Sequence, residues 1–199
     1  MTSPFAVLTV CTGNICRSPA AERLLAARLG AGSGVAVSSA GVGAVVGAPI
    51  PPPMAALLSG AGVSPDGFAA RQLTAAMLRD SDLVLVLTRG HRARVVDVYP
   101  GAVRRTFTLR ELARLAAAVG PDALPDGTPA ERLAALLPLA AAQRGVAGAT
   151  TADEDDVVDP YRRGDEVYAR SFAQLSPAVE TIAAVARGTG GHRFPLVGY

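Results

Sequence analysis

Short segments rich in apolar and β-branched residues alternate along this chain with segments in which apolar residues recur at helical spacing. Short runs of this kind, bounded by turn residues, are typical of strands buried on both faces of a sheet. The pattern predicts four strands, and DLVLVLT in the third is the strongest of these signals. The predicted strands are residues 6–10, 35–39, 82–88 and 103–108.

Helix signals occupy the segments between and after these strands. In the first, Ser18 is the expected N-cap, Pro19 the first helical residue and Gly30 the end, with Glu22 favourable in the first turn. The predicted helices are residues 19–30, 51–60, 90–98, 109–119 and 164–187. This alternation predicts an α/β fold, a doubly wound parallel sheet with helices on both faces that binds ligands at the carboxyl ends of its strands.

Residues 120–150 break this alternation with Pro- and Gly-rich pieces around a helical run at 129–144. Four apolar residues of the run share one helical face: Leu133, Leu136, Leu137 and Ala140. We interpret the segment as a helical insertion within one domain spanning residues 1–199, either a lid or side helix or a tolerated surface insertion. The tail at 188–199 is predicted to be mobile.

Charge and cysteine content narrow the range of functions. The formal net charge of the 199 residues is +2, which predicts neither nucleic-acid nor membrane binding, so an anionic ligand must be held by a local site. The two cysteines, Cys11 and Cys16, are so close in the chain that a disulfide between them could not stabilise a domain of this size. With no signal-peptide pattern and no apolar run long enough to span a bilayer, a reducing cytoplasm is the expected compartment.

The chemistry is concentrated in the sequence VCTGNICRSP, where a predicted strand ends and a predicted helix begins. A loop in this position binds an anion through converging backbone amides and the positive end of the helix, and Arg17 adds a bidentate fork for two phosphoryl oxygens. Gly13 is expected to allow a positive φ and close backbone approach, and Asn14 to tolerate the left-handed region while its side chain braces the loop.

Cys11 lies at the entrance of this loop, in a positive field that favours the thiolate form. Ser18 can donate a hydrogen bond to that thiolate. A lone cysteine is more often an inert core residue, and a pair could be half of a zinc site, but zinc needs about four ligands and only His91 and His192 remain as partners. The Cys-x5-Arg-Ser spacing with Gly and Asn inside the loop is more specific. His91 itself is expected to be a surface residue at a helix start.

The sequence CTGNICRSP followed by AAE resembles the low-molecular-weight protein tyrosine phosphatases, in particular their bacterial members. Further similar segments lie at residues 38–41, 70–73, 82–89, 106–109 and 158–161. The resemblance implies a four-stranded, flavodoxin-like phosphatase fold, and it implies roles for Cys11 as nucleophile, Arg17 as phosphate ligand and Asp159 as general acid. The loop residues Thr12, Gly13, Asn14, Ile15, Cys16 and Ser18 would bind phosphate or support the loop, with Ser39 bracing it through Asn14.

The implied reaction has two steps and needs neither metal nor cofactor. Thiolate attack on phosphorus is assisted by Asp159, which protonates the leaving oxygen and then activates water, so mildly acidic conditions should favour activity. Pro160 and Tyr161 stiffen the segment around Asp159, and Tyr161 offers an aromatic wall for the substrate. The acidic run at 153–156 is expected to be a solvated loop. Phe68 replaces a histidine that many members use to brace the loop, so the loop is expected to be held differently.

Several alternatives remain open for the substrate and for Cys16. Ile15 favours phosphotyrosine, since members acting on phosphoarginine tend to have threonine there, although Thr12 and residues 43–49 add no aromatic wall. A protein arginine phosphatase, a thiol-linked arsenate reductase and a non-catalytic phosphate-binding module are the other candidates. The expected partners are a phosphorylated protein or peptide and inorganic phosphate or another oxyanion. Cys16 is either a loop-packing thiol or a redox partner that protects Cys11.

Overall fold

Four parallel strands form the centre of the computed structural model, which describes residues 3–144 and 151–189. The strands lie in the order β2-β1-β3-β4, so β1 is flanked by β2 and β3. Because all four run in one direction, their carboxyl ends meet at a single edge of the sheet. The strands are β1 (Phe5–Cys11), β2 (Val35–Gly41), β3 (Leu83–Val86) and β4 (Thr106–Thr108).

Helices cover both faces of this sheet. They are α1 (Arg17–Leu29), α2 (Pro52–Gly60), α3 (Ala75–Arg79), α4 (Arg89–Val98), α5 (Leu109–Val119), α6 (Pro129–Gln143), α7 (Ala152–Asp155) and α8 (Asp165–Arg187). Two 3₁₀ helices, Pro100–Arg105 and Pro121–Ala123, complete the described helices.

Two buried clusters lie on opposite faces of the sheet. Since side chains alternate along a strand, Val7 and Leu85 belong to the larger cluster, whereas their neighbours Leu8 and Val84 belong to the smaller one. Helices α1, α5, α6 and α8 pack against the larger cluster, and α3 and α4 against the smaller. The predicted doubly wound, four-stranded α/β fold is therefore confirmed.

The start of α1 differs from the prediction. The helix begins at Arg17, with Cys16 at the N-cap position and no side-chain cap, so Ser18 and Pro19 are its second and third residues. The Ser18 hydroxyl is directed at Cys11 and Asn14 instead of capping the helix. Glu22 is likewise not in the first turn.

The fourth predicted strand was placed too early in the chain. Pro100 opens the 3₁₀ helix Pro100–Arg105, and the Arg105 guanidinium stabilises it by donating to the carbonyls of Gly101 and Leu78. Only Thr106–Thr108 of the predicted segment pairs with β3. Helices α3 and α7 were not predicted, since each has five residues or fewer and no apolar period of its own.

The helical run predicted inside residues 120–150 is α6, and Leu133, Leu136 and Ala140 are fully buried against the larger cluster. Arg132 of the same helix is 5% exposed. It donates to the backbone carbonyls of Pro121 and Pro125, which precede α6, and to that of Val185 in α8. A buried arginine with five donors therefore links α6 to the end of α8.

The predicted mobile tail at 188–199 lies outside the described residues apart from its first two, and residues 145–150 of the predicted insertion do as well. Across residues 3–144 and 151–189, none of the helices combines the length and hydropathy that crossing a bilayer requires.

Candidate active site

The loop between β1 and α1 lies at the carboxyl edge of the sheet, directly after Cys11, the last residue of β1. Gly13 does not adopt the expected positive φ; the left-handed residue is Asn14, with φ 53°. Among the described residues, no backbone amide from 12 to 17 donates a hydrogen bond to another backbone group. Buried backbone amides normally have partners, so these are available to an anion, as are the uncapped amides that begin α1.

A chain of side-chain hydrogen bonds holds the loop from behind. The Asn14 amide donates to Ser18 Oγ at 2.9 Å and to Ser39 Oγ at 2.8 Å, and its oxygen accepts from the backbone N–H of Arg71 at 2.7 Å. Ser39 in turn donates to a carboxylate oxygen of Glu22. Asn14 is completely buried, so this network fixes the one strained residue of the loop.

Cys11 and Ser18 meet at the front of the same network. The Cys11 sulfur is buried and lies 3.0 Å from Ser18 Oγ, which can donate to it when it is a thiolate. The expectation that Phe68 changes the bracing stays a prediction. Phe68 lies 6.0 Å from the Arg23 guanidinium, and Asn14 takes its acceptor bond from a backbone amide.

Arg17 is 4% exposed and is held by the segment that carries Asp159. Its Nη1 donates to the carbonyl of Val157 at 3.1 Å, and its Nη2 lies 2.7 Å from Asp159 Oδ2. Its Nε is buried and has no partner among the described residues. Asp159 is half exposed and also accepts from the backbone N–H of Tyr161 at 3.1 Å. The guanidinium therefore keeps its Nε donor without an acceptor, and its ion pair connects the start of α1 to the Asp159 carboxylate.

A pocket of about 120 Å³ opens between these groups. Its lining brings together residues 148 positions apart in the chain (159 minus 11) and adds two residues that the sequence did not suggest, Gly43 and Val45. The predicted site residues that line it are Cys11, Thr12, Gly13, Ile15, Cys16, Arg17, Asp159 and Tyr161, whereas Asn14, Ser18 and Ser39 lie behind it.

Cys16 also borders the pocket, but its environment differs from that of Cys11. Its sulfur lies 3.7 Å from the Tyr168 hydroxyl, and burial raises the pKa of the Cys16 thiol to about 11, with the Tyr168 hydrogen bond acting in the opposite direction. Burial also raises the pKa of Tyr168. Both cysteines are free thiols.

His91 is not the surface residue that the sequence suggested. It is 6% exposed, and its Nε2 lies 2.9 Å from Thr12 Oγ1, next to Cys11 in the chain. Burial, and then the charge of Arg17, lower the pKa of His91 to about 4. No local pattern reveals this contact, because the two residues are 79 positions apart.

The prediction that the acidic run at 153–156 is a solvated loop is also wrong. Asp155 is 5% exposed and pairs with Arg89 at 2.7 Å and Arg114 at 3.1 Å. Arg110 donates to the carbonyls of Asp153 and Asp156. These arginines hold the segment leading to Asp159 against α4 and α5. One signal for these contacts was present in the sequence. Arg110 and Arg114 are four residues apart on α5, so they share one face of a helix whose other face is buried.

Comparison with known proteins agrees with this geometry. A family model described as low molecular weight phosphotyrosine protein phosphatase matches residues 6–119. The low molecular weight protein-tyrosine-phosphatase Etp of Escherichia coli (strain K12) is 47% identical over 101 residues, which are 51% of this chain and 66% of Etp. The chain thus spans just under two thirds of the length of that relative.

Two solved structures are similar over nearly the whole chain. The YwlE arginine phosphatase from Geobacillus stearothermophilus is 27% identical, with a TM-score of 0.64, over 90% of this chain and 91% of its own. The tyrosine phosphatase Wzb from Escherichia coli K30, in complex with sulphate, is 25% identical, with a TM-score of 0.64, over 90% of this chain and 96% of its own. Since the family model covers more than half of the 199 residues, the chain belongs to the low molecular weight phosphotyrosine protein phosphatase family.

Proposed function

We propose that the protein is a cysteine-dependent phosphomonoester hydrolase that removes phosphate from tyrosine side chains of proteins through a phosphocysteine intermediate. One observation carries the proposal: the Cys11 sulfur, the Arg17 guanidinium and the Asp159 carboxylate border one pocket at the positive end of α1. A nucleophile, an anion ligand and a proton donor are the three parts that this reaction needs.

The anion is held by groups that are already in place. The amides of the loop, the start of α1 and the free Nε of Arg17 all provide N–H donors, so a phosphate dianion needs no metal to be bound. The likeness to Wzb, which was solved with sulphate, supports an oxyanion in this position. As the dianion engages Arg17, Asp159 is released from its ion pair and becomes free to act on the leaving group.

In the first step, the Cys11 sulfur forms a bond to phosphorus as the bond to the leaving oxygen breaks, and Asp159 gives its proton to that oxygen. In the second step, water attacks phosphorus, the S–P bond breaks and Asp159 takes the proton from water. Ser18 donates to the sulfur while it is negatively charged, at the start and at the end of the cycle. Charge on the phosphoryl oxygens is stabilised by Arg17 and the loop amides.

The walls of the pocket favour an aryl substrate. Ile15, Val45 and Tyr161 present apolar surface around the sulfur, and the last two are 44% and 42% exposed, so they are accessible to a ligand. Apolar walls around a few polar groups suit a phenyl ring. The second candidate is phosphoarginine, which the structural likeness to YwlE supports.

Turnover of phosphotyrosine, phosphoarginine and arsenate, measured side by side on the same protein, decides the substrate. We expect phosphotyrosine to give the highest kcat/KM. Preference for phosphoarginine would assign the second candidate, and thiol-dependent reduction of arsenate without phosphate release would refute the hydrolase assignment.

The roles of the three central residues are tested by substitution. Cys11→Ser should lower kcat for p-nitrophenyl phosphate by more than about 10⁴-fold while inorganic phosphate still binds. Asp159→Asn should lower kcat for phenyl phosphate by about 10²–10³-fold, and less for p-nitrophenyl phosphate, whose leaving group needs less protonation. Asp165→Asn, an exposed carboxylate six residues further on, is the control. Equal losses in Asp159→Asn and Asp165→Asn would exclude Asp159 as the acid.

A nucleophilic thiol requires a reducing compartment, for which the cytoplasm is our proposal. If peroxide converts Cys11 to its sulfenic acid, the Cys16 thiol can attack it, forming a disulfide and releasing water. The raised pKa of Cys16 keeps it mostly protonated and slows this step. We expect dithiol to restore activity after peroxide treatment of the unaltered protein but not of Cys16→Ser, and equal recovery by both would assign Cys16 to packing alone.

A further inference from the structure

His91 is held in a defined position at the start of α4. Thr88 caps this helix by accepting from the His91 backbone N–H at 3.1 Å, so the imidazole leaves the helix from its third residue. The ring is buried, and its Nε2 lies 2.9 Å from Thr12 Oγ1. A buried polar ring that contacts the residue next to the nucleophile is not used by the two-step mechanism above.

Thr12 is held from two sides of the site. Its carbonyl accepts from the backbone N–H of Gly43, which follows β2, at 3.0 Å. Its hydroxyl contacts His91, which follows β3. Thr12 also lines the pocket, and its amide is one of those available to an anion. The orientation of this first loop residue therefore depends on one contact from the segment that follows each neighbouring strand.

The protonation state of the imidazole follows from its surroundings. Burial and the charge of Arg17 lower the pKa of His91 to about 4, with Asp159 partly offsetting them, so the ring is uncharged near neutral pH. Its Nδ1 is buried and has no partner among the described residues. A buried N–H without an acceptor is rarer than an unused lone pair, which places the proton on Nε2. His91 then donates to Thr12 Oγ1, and the Thr12 hydrogen is free to point elsewhere.

We propose that His91 is a positioning residue for the catalytic loop: by donating to the Thr12 hydroxyl, it fixes the orientation of the residue that follows the nucleophile. Being neutral, it does so without competing with Arg17 for the phosphate. The proposal rests on the phosphatase activity proposed above. Its effect is expected mainly on kcat, because the transition state requires a better aligned amide than ground-state binding does.

Four variants test this role: His91→Phe, which keeps the ring but not the donor; His91→Gln, whose Nε2 can donate from a similar position; Thr12→Val; and the double variant His91→Phe with Thr12→Val. We expect kcat for p-nitrophenyl phosphate to fall about tenfold in His91→Phe and in Thr12→Val, with KM and the Kd of inorganic phosphate changing by no more than about threefold. The double variant should be no slower than about 20-fold, and His91→Gln should recover most of the lost kcat.

Each measurement is made well below the unfolding transition of every variant, with the folded fraction taken from circular dichroism. A kcat within twofold of the unaltered protein in His91→Phe, losses that multiply in the double variant, or a His91→Gln variant no faster than His91→Phe would each overturn the proposal. If the unaltered protein hydrolyses none of the substrates, the proposed function fails instead. The positioning role of His91 is defined through kcat and then fails with it, whereas an active unaltered protein with an unaffected His91→Phe variant refutes the role of His91 alone.

Discussion

Gly41, the last residue of β2, allows the loop at residues 11–17 to approach the neighbouring strand closely. It pairs with Cys11 across the sheet, accepts from the backbone N–H of Leu73 and donates to the carbonyl of Arg71. A Cβ at this position would overlap the carbonyl oxygen of Thr12 and lie 3.0 Å from both N and Cβ of Asn14. The φ of Gly41 is not positive, so space and not backbone conformation requires glycine. Gly41→Ala therefore tests how closely the loop is packed.

The expected magnitude follows from these distances. Ordinary contact begins at 3.4 Å, so Asn14 must withdraw by at least 0.4 Å (3.4 minus 3.0) and the Thr12 carbonyl by more. The obstructing atoms are mainly backbone and cannot rotate away. Overpacking of this kind costs about 1–3 kcal/mol in the free energy of unfolding. A loop displacement approaching 1 Å lowers kcat by about 10²-fold.

The assay measures kcat for p-nitrophenyl phosphate together with urea unfolding, with Gly60→Ala as the matched control. A Cβ on Gly60, at the end of α2, meets nothing within 4 Å, so this variant should unfold within about 0.5 kcal/mol of the unaltered protein and lose far less kcat. If Gly41→Ala keeps kcat and stability within the range of Gly60→Ala, the loop is not confined by β2 and the reasoning is refuted.

Three further substitutions test the supports around the site. Asp155→Asn weakens the hold of two arginines on the acid segment and should lower kcat about tenfold, whereas Asp153→Asn, exposed in the same helix, should not; equal values would show that the pairing does not position the segment. His91 has its pKa lowered from 6.5 to about 4, so the unfolded state binds a proton first as pH falls. Stability is therefore lost between pH 6.5 and 4, and His91→Gln should flatten this loss by roughly 3 kcal/mol in urea titrations at several pH values; identical slopes would contradict the burial argument. Arg132→Met leaves several buried carbonyls without a donor and should lower the free energy of unfolding by roughly 3 kcal/mol. The control Arg187→Met, at an exposed position, should lower it by no more than about 0.5 kcal/mol.

The sequence predicts the fold well where local patterns are strong. Apolar segments such as 82–88 mark strands whatever their neighbours, and Gly30 ends α1 as predicted. It fails at Ser18 because two uses compete for one hydroxyl: the capping rule assigns it to the helix, but the sulfur and Asn14 take it. It fails at residues 103–105 because Arg105 donates to the carbonyl of Gly101 within the 3₁₀ helix and to that of Leu78, 27 positions away, and these bonds favour the turn.

The candidate site divides in the same way. The loop residues from Cys11 to Arg17 are contiguous, so the sequence alone is enough to predict an anion-binding loop. Their catalytic roles stay predictions. The supports that were missed depend on partners far along the chain. Asp155 pairs with arginines 41 and 66 positions away, which makes a buried carboxylate look like part of a solvated run. His91 looks ordinary until the fold brings it to Thr12.

The bond from Arg17 to the carbonyl of Val157 joins residues 140 positions apart, which has a consequence for the order in which activity appears during synthesis. A nascent chain that has emerged only to the end of α5 already contains Cys11 and Arg17, but it has neither Asp159 nor the Val157 carbonyl to which Arg17 donates. Such a chain contains all four strands, but under the proposed mechanism it has no group to protonate the leaving oxygen. Under the mechanism proposed above, hydrolysis is therefore expected only from chains that extend past Asp159.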